Sequence, residues 1–127
     1  MLERALVLRP DAGPYLLQAA IASLQADADV DWDEVAMLYE RLEQLTRSPV
    51  VALNRAVAVA EAGGPEQALE LVDSLELGDY RYLHSTRAEL LRRLGRQEEA
   101  RVAFEHALSL AATDPERRFL AHRLAGL

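Results

Sequence analysis

Small side chains recur at a fixed interval along this chain, and that interval limits the folds it can adopt. An interval of 32 residues separates three pairs of small residues: Gly63 and Gly95, Ala56 and Ala88, and Ala68 and Ala100. The phrases ERALVL at 3–8 and EHALSL at 105–110 are 102 residues apart, which is three periods of 34. A recurrence of this length predicts a repeated structural unit that is stable only when neighbouring units stack.

The residues between these positions favour helices. Alanine and leucine dominate, glutamate and arginine follow, and β-branched residues form no alternating run. Helices of about 10–16 residues are therefore predicted between short turns. The turn signals are Pro10–Pro14, Asp27–Asp31, Ser48–Pro49, Gly63–Pro65, Gly78–Asp79, Gly95 and Asp114–Pro115.

Together, the interval and the helices predict an all-α fold of tetratricopeptide-like helical-hairpin repeats, stacked as an α-α superhelix. The segment LGRQEEARVAFEHALSL (94–110) resembles the tetratricopeptide consensus closely. We expect one domain over 1–127, with a C-terminal capping helix at 116–125 and a chain that begins inside a repeat and belongs to a longer protein. Three repeats are predicted, at about 14–47, 49–77 and 80–112, and residues 1–9 are expected to end a truncated one.

Composition narrows the function classes. The chain of 127 residues has no cysteine, which excludes disulfides and thiolate metal sites and favours a cytoplasmic location. No apolar run approaches the roughly 20 residues that span a membrane, and no signal peptide is visible. The net charge of −7 opposes direct binding to a polyanion such as DNA.

An acidic cluster offers one candidate metal site. Starting from Asp29, carboxylates fall at positions 1, 3, 5 and 12 of an EF-hand-like loop, but Glu34 occupies position 6, where the sharp turn needs glycine. The preferred interpretation is that Asp31 caps the helix that follows, while Asp33 and Glu34 complement its positive N-terminus.

Catalytic and cofactor motifs are not visible. His84, His106 and His122 are separated by 22 and 16 residues, which matches no metal-binding or general acid–base pattern. We interpret all three as helix-surface residues. We therefore expect no catalytic, cofactor-binding or metal-binding residue and no enzymatic activity.

Two basic features remain as candidate contact sites. Asn54 and Arg55 lie at the centre of an apolar helix, and Arg87 takes the position of Arg55 one period later, where the tetratricopeptide consensus has an inward-facing leucine. Such arginines either pair with carboxylates of neighbouring repeats and fix their stacking, which we favour, or accept an acidic segment of a partner. Arg92 and Arg93 are either solvated helix-end cations or part of a positive patch for a protein partner.

The segments SPVVALNRAVA (48–58), GPYLLQAAIASLQ (13–25) and YLHSTRAELLRRLGRQEEARVAF (82–104) resemble one bacterial family. They are similar to the tetratricopeptide-like C-terminal extension of extracytoplasmic-function RNA polymerase sigma factors. That resemblance implies a regulatory domain in transcription initiation, with the sigma domains in cis, core RNA polymerase or a regulator as protein partners. Promoter DNA would be read by sigma domains outside this sequence. Self-association as a homodimer is also an expectation.

The alternative is a free-standing tetratricopeptide scaffold that binds a peptide or partner protein in a concave groove. Such grooves often clamp a C-terminal carboxylate with lysine and asparagine on the first helices of the repeats. The corresponding groove positions predicted here, Leu53, Val57 and Ala60, are apolar. The sequence therefore predicts an incomplete carboxylate clamp.

Overall fold

The computed structural model describes residues 13–127, and within this range the chain forms seven α-helices and no β-strand. The chain divides after Gly64 into two compact units. The predicted all-helical class is confirmed. The helices are α1 (Pro14–Gln25), α2 (Trp32–Thr46), α3 (Pro49–Glu61), α4 (Pro65–Asp73), α5 (Arg81–Arg93), α6 (Gln97–Leu110) and α7 (Asp114–Ala125).

In the first unit, α2 packs against both α1 and α3. Its buried side chains, Val35, Leu38 and Leu42, follow a helical spacing of three and four residues, which aligns them on one face. They meet Leu17, Ala20 and Ile21 of α1 and Ala58 of α3 in one apolar cluster. This cluster fixes the rotation of all three helices, because burying each apolar face requires one particular orientation.

In the second unit, α5 and α6 pack as an antiparallel hairpin, with α4 against α5 and α7 against α6. Its predicted small positions are buried, since Ala68, Ala88 and Ala100 are each 0% exposed. Larger side chains fill the space beside them, namely Val72, Leu91, Phe104 and Leu120. Small residues at these points let helix backbones approach, which is the physical reason for their recurrence.

Among the described helices, α2, α3 and α7 begin at a side-chain cap. Asp31 accepts a hydrogen bond from the backbone N–H of Glu34 at 3.1 Å, so its predicted capping role is confirmed. Ser48 caps α3 and Thr113 caps α7 in the same way. Because Thr113 is the cap, α7 begins at Asp114, two residues before the predicted start of the capping helix.

The turns after α3 and α5 share one geometry. Gly63 and Gly95 have φ of 102° and 75°, a conformation that favours glycine. In each turn the residue after the glycine donates its backbone N–H to the carbonyl oxygen five residues earlier, with an N···O distance of 3.0 Å. This is the Schellman arrangement, which satisfies carbonyls that the helix end leaves unpaired.

The helix bounds place α1 and α2 within predicted repeat 14–47, and α5 and α6 within predicted repeat 80–112. The division into repeats, including the segment 49–77, and the single domain over 1–127 stay predictions. Residues 1–9, predicted to end a truncated repeat, lie outside the described residues. None of the helices within 13–127 is long and apolar enough to cross a membrane.

Candidate functional site

The first unit contains a cleft between its helices, which we call the α1–α3 cleft. It encloses about 200 Å³. Its lining residues come from the three helices described in this unit: Gln18, Ile21, Ala22 and Gln25 of α1, Tyr39 and Leu42 of α2, and Val51 and Asn54 of α3. The spacing of three, four and seven residues along α1 places its four contributors on one face of that helix.

The lining of the α1–α3 cleft has no charged side chain. It combines apolar groups with three primary amides, those of Gln18, Gln25 and Asn54, each of which can both donate and accept hydrogen bonds. A peptide backbone needs one donor and one acceptor per residue, so this lining is chemically matched to it. The arrangement provides binding groups and no nucleophile or acid–base pair.

Tyr39 provides the phenol on the α2 side of the cleft. Burial raises the pKa of Tyr39 above its ordinary value of 10.0, and a hydrogen bond with Gln25 lowers that pKa by a smaller amount. The phenol is therefore neutral at physiological pH. A neutral phenol can donate a hydrogen bond to a ligand carbonyl.

Asn54 and Arg55 are consecutive in sequence but lie in different surroundings. Asn54 is exposed and lines the α1–α3 cleft. The Arg55 side chain is 25% exposed, and its Nη1 donates a hydrogen bond to Oε1 of Glu43 on α2 at 3.2 Å. A half-buried guanidinium needs such a partner, because an unpaired charge away from water is costly.

Arg87 makes the equivalent contact in the second unit. Its Nε donates to Oδ1 of Asp73, near the end of the preceding helix α4, at 2.8 Å. In both units an arginine in the middle of a helix thus pairs with a carboxylate on the helix before it. This geometry is the one that the stacking interpretation requires, whereas an acidic partner segment would have to compete with Glu43 and Asp73.

Arg92 and Arg93 lie in the last turn of α5, where cations complement the helix dipole. Arg92 donates to Oε2 of Glu89 one turn earlier, at 2.9 Å. The other oxygen of Glu89 lies 2.9 Å from Nε of Arg123 on α7, an ion pair whose N–H is not aligned for a hydrogen bond. Arg92 therefore belongs to a charge network that joins α5 to α7.

The structure brings two of the three histidines together. His84 on α5 and His106 on α6 face each other with ring centroids 4.2 Å apart. Nε2 of His106 lies 3.6 Å from Oδ1 of Asp79, in the turn before α5. His122 lies on α7 and is not a member of this group.

The predicted groove positions are wrong for two of three residues. Leu53 is 3% exposed and Ala60 is 7% exposed, so both belong to the core, while Val57 is 38% exposed. The cleft uses positions 51 and 54 of α3 instead. Sequence reasoning missed Gln18 and Gln25, although their spacing of seven residues on a predicted helix was a signal that both lie on one polar face.

No family model matches the sequence. The uncharacterized protein R00370 of Rhizobium meliloti is 48% identical over 118 residues, which cover 88% of this chain and 28% of that protein. The chain thus spans just over a quarter of that relative's length.

The crystal structure of PcrH from Pseudomonas aeruginosa matches 98% of this chain and 95% of its own, with a TM-score of 0.71 and 23% identity. At this identity the match concerns the fold alone. The predicted tetratricopeptide-like helical-hairpin fold is confirmed.

Proposed function

We propose that this chain is a protein-interaction module whose α1–α3 cleft binds an extended peptide segment of a partner protein. The observation that carries the proposal is the lining of this cleft. The lining contains no charged side chain, and it places three amides and one phenol between apolar side chains. The tetratricopeptide-like fold supports it, because such helical stacks present extended surfaces rather than reactive centres.

The chemistry of the cleft favours a particular kind of segment. The sequence contains no lysine, and the cleft lining contains no arginine, so a C-terminal carboxylate has no cationic partner there. Burying an unpaired carboxylate would be unfavourable. An internal, uncharged segment instead satisfies its backbone with Gln18, Gln25 and Asn54 and places small apolar side chains against Ile21 and Val51.

The test begins with a phage-displayed library of random 12-residue peptides, selected on the purified chain. The affinity of the best peptide is then measured by fluorescence anisotropy. Ala22→Arg fills the cleft from an exposed position of α1 and should weaken binding about tenfold or more. Asn54→Ala removes one amide and should weaken binding about three- to tenfold, the usual value of a neutral hydrogen bond.

The matched controls are Gln44→Arg and Gln44→Ala, which change an exposed residue of α2 that is not part of the cleft lining. Both should bind the peptide like the unchanged chain. The proposal is rejected when selection yields no peptide, or when the Ala22→Arg chain, shown to be folded by circular dichroism, binds the peptide with unchanged affinity.

A second candidate function keeps the resemblance to extracytoplasmic-function sigma factors. Here the chain would be the C-terminal regulatory domain of such a factor, with the sigma domains, core RNA polymerase or a regulator as its protein partner. One observation favours a role as part of a longer chain: the matching segment makes up 28% of the Rhizobium meliloti relative. Its peptide ligand would then be a segment of one of these partners.

This second candidate is tested on the complete reading frame that encodes the chain. It requires two sigma domains ahead of residue 1 in that frame. Removing residues 13–127 from the complete protein should alter transcription from its target promoters in vitro. A frame without sigma domains contradicts this candidate and leaves the peptide-binding proposal intact.

A further inference from the structure

The turn before α5, the first turn of α5 and the middle of α6 bring three metal-ligating side chains together. Asp79, His84 and His106 each offer one ligand atom, and these atoms all lie within 4.8 Å of one another. We propose that these three residues form a binding site for a divalent transition-metal ion, Zn²⁺ in particular. The site lies within the second unit and is independent of the α1–α3 cleft.

The donor set selects the class of ion. Two imidazoles and one carboxylate suit zinc and neighbouring first-row metals, whereas calcium and magnesium prefer a shell of oxygen atoms only. Three protein ligands also leave one tetrahedral position open for water or for a side chain of a partner.

The orientation of His84 supports the assignment. Its Nε2 lies 2.8 Å from the carbonyl oxygen of Gly78. Because a carbonyl can only accept, Nε2 must donate, which leaves Nδ1 of the neutral ring unprotonated and able to bind a metal. Metal-ligating histidines commonly donate their second nitrogen to a backbone carbonyl or carboxylate in this way.

The remaining ligands can close on an ion at small cost. Zinc–nitrogen bonds of about 2.0–2.1 Å place tetrahedral ligands roughly 3.4 Å apart, somewhat closer than the present limit of 4.8 Å. The side chain of Asp79 is 81% exposed, and that of His106 is 46% exposed with its ring against His84. The proposal therefore requires these side chains to rotate so that the three donors come into range of one ion.

Metal binding would join the loop before α5 to both helices of the hairpin. An ion that binds only the folded state raises the melting temperature. The proximity of His84 and His106 cannot be read from the sequence, where 22 residues separate them. The proposal departs from the sequence-based interpretation, which placed all three histidines on the helix surface without ligand roles.

The test uses the chain without a histidine tag and titrates it with ZnCl₂ by isothermal calorimetry. We expect one ion per chain and, at about 100-fold excess over the dissociation constant, a melting temperature raised by about 5–10 °C. His84→Gln and His106→Gln should each weaken binding at least about tenfold, and Asp79→Asn should weaken it less.

His122→Gln is the matched control, since it removes an exposed histidine from α7 and should leave zinc binding unchanged. The proposal is overturned when no stoichiometric heat is observed, or when His84→Gln and His106→Gln bind zinc like the unchanged chain. It is also overturned when CaCl₂ raises the melting temperature as much as ZnCl₂ does.

Discussion

Arg55 lies near the middle of an alanine- and valine-rich helix, and its position is explained by the carboxylate of Glu43 at 3.2 Å. Both side chains are partly exposed, at 25% and 32%, so solvent screens their attraction. The pair is therefore expected to help orient α3 against α2 rather than to dominate stability. Arg87 and Asp73 repeat the arrangement at 2.8 Å in the second unit.

A double-mutant cycle measures this contribution. Glu43→Gln and Arg55→Gln, alone and together, should give a coupling free energy of about 0.5–1 kcal/mol in urea unfolding. The control is the Arg96–Glu99 pair, whose side chains are 46% and 49% exposed and whose coupling should be smaller. A coupling of zero for Arg55 and Glu43 would remove the stacking role and return Arg55 to the candidates for partner contact.

The partly buried phenol of Tyr39 predicts how the free energy of unfolding depends on alkaline pH. The sequence contains neither lysine nor cysteine, whose side chains would otherwise lose protons in the same alkaline range. Burial raises the pKa of Tyr39 in the folded state above 10.0. The folded state therefore holds this proton more tightly, and the associated stability is present below pH 10 and lost as pH rises through the folded pKa.

Replacing Tyr39 with phenylalanine removes this dependence. The free energy of unfolding of the unchanged chain should fall as pH rises from about 10 through the raised folded pKa, and that of Tyr39→Phe should fall less. Phenolate absorbance should show the loss of one step with a raised pKa. Tyr15→Phe, at a position 86% exposed, is the control. Equal pH dependence in the unchanged chain and Tyr39→Phe would contradict this account of Tyr39.

At the scale of elements, the helix ends are set by local chemistry. Asp31, Ser48 and Thr113 cap the starts of α2, α3 and α7, and Gly63 and Gly95 follow the ends of α3 and α5 with positive φ. These signals act over three to six residues, so they can be recognised in the sequence. The hydrogen bonds they make satisfy backbone groups that the helix leaves unpaired.

Gly95 provides the matching prediction. An added Cβ at this position meets no atom within 4 Å, so the cost of substitution comes from the backbone at φ 75°. Gly95→Ala should lower the free energy of unfolding by about 1–2 kcal/mol, measured by urea denaturation. Gly126→Ala, at φ −87° in the same unit, should have little effect. Equal effects of the two substitutions would show that the φ of Gly95 is not what requires glycine.

The same division between local and long-range information explains what the sequence could predict. The sequence could predict the buried alanines, the turns and the Asp31 cap, because each depends on spacing along one or two helices. The α1–α3 cleft depends on the rotation of three helices about their own axes, and an error in that rotation placed Leu53 and Ala60 in a groove instead of the core. His84 and His106 meet because α5 packs against α6 in a hairpin. Their separation of 22 residues in the sequence does not predict this contact.

At the scale of the whole molecule, the net charge and the uncharged cleft lining both disfavour a strongly anionic ligand. The net charge of −7 opposes polyanions, and the α1–α3 cleft contains no charged side chain. Both properties agree with the proposal that the α1–α3 cleft binds a neutral peptide segment.

The most direct test of that claim is amide chemical-shift mapping of the ¹⁵N-labelled chain with the peptide selected on it. The account predicts that the largest shifts fall on α1 and α3, around Gln18, Ala22, Gln25 and Asn54, and that Ala22→Arg abolishes them. Shifts confined to residues 65–127, with the amides of α1 and α3 unchanged, would contradict it.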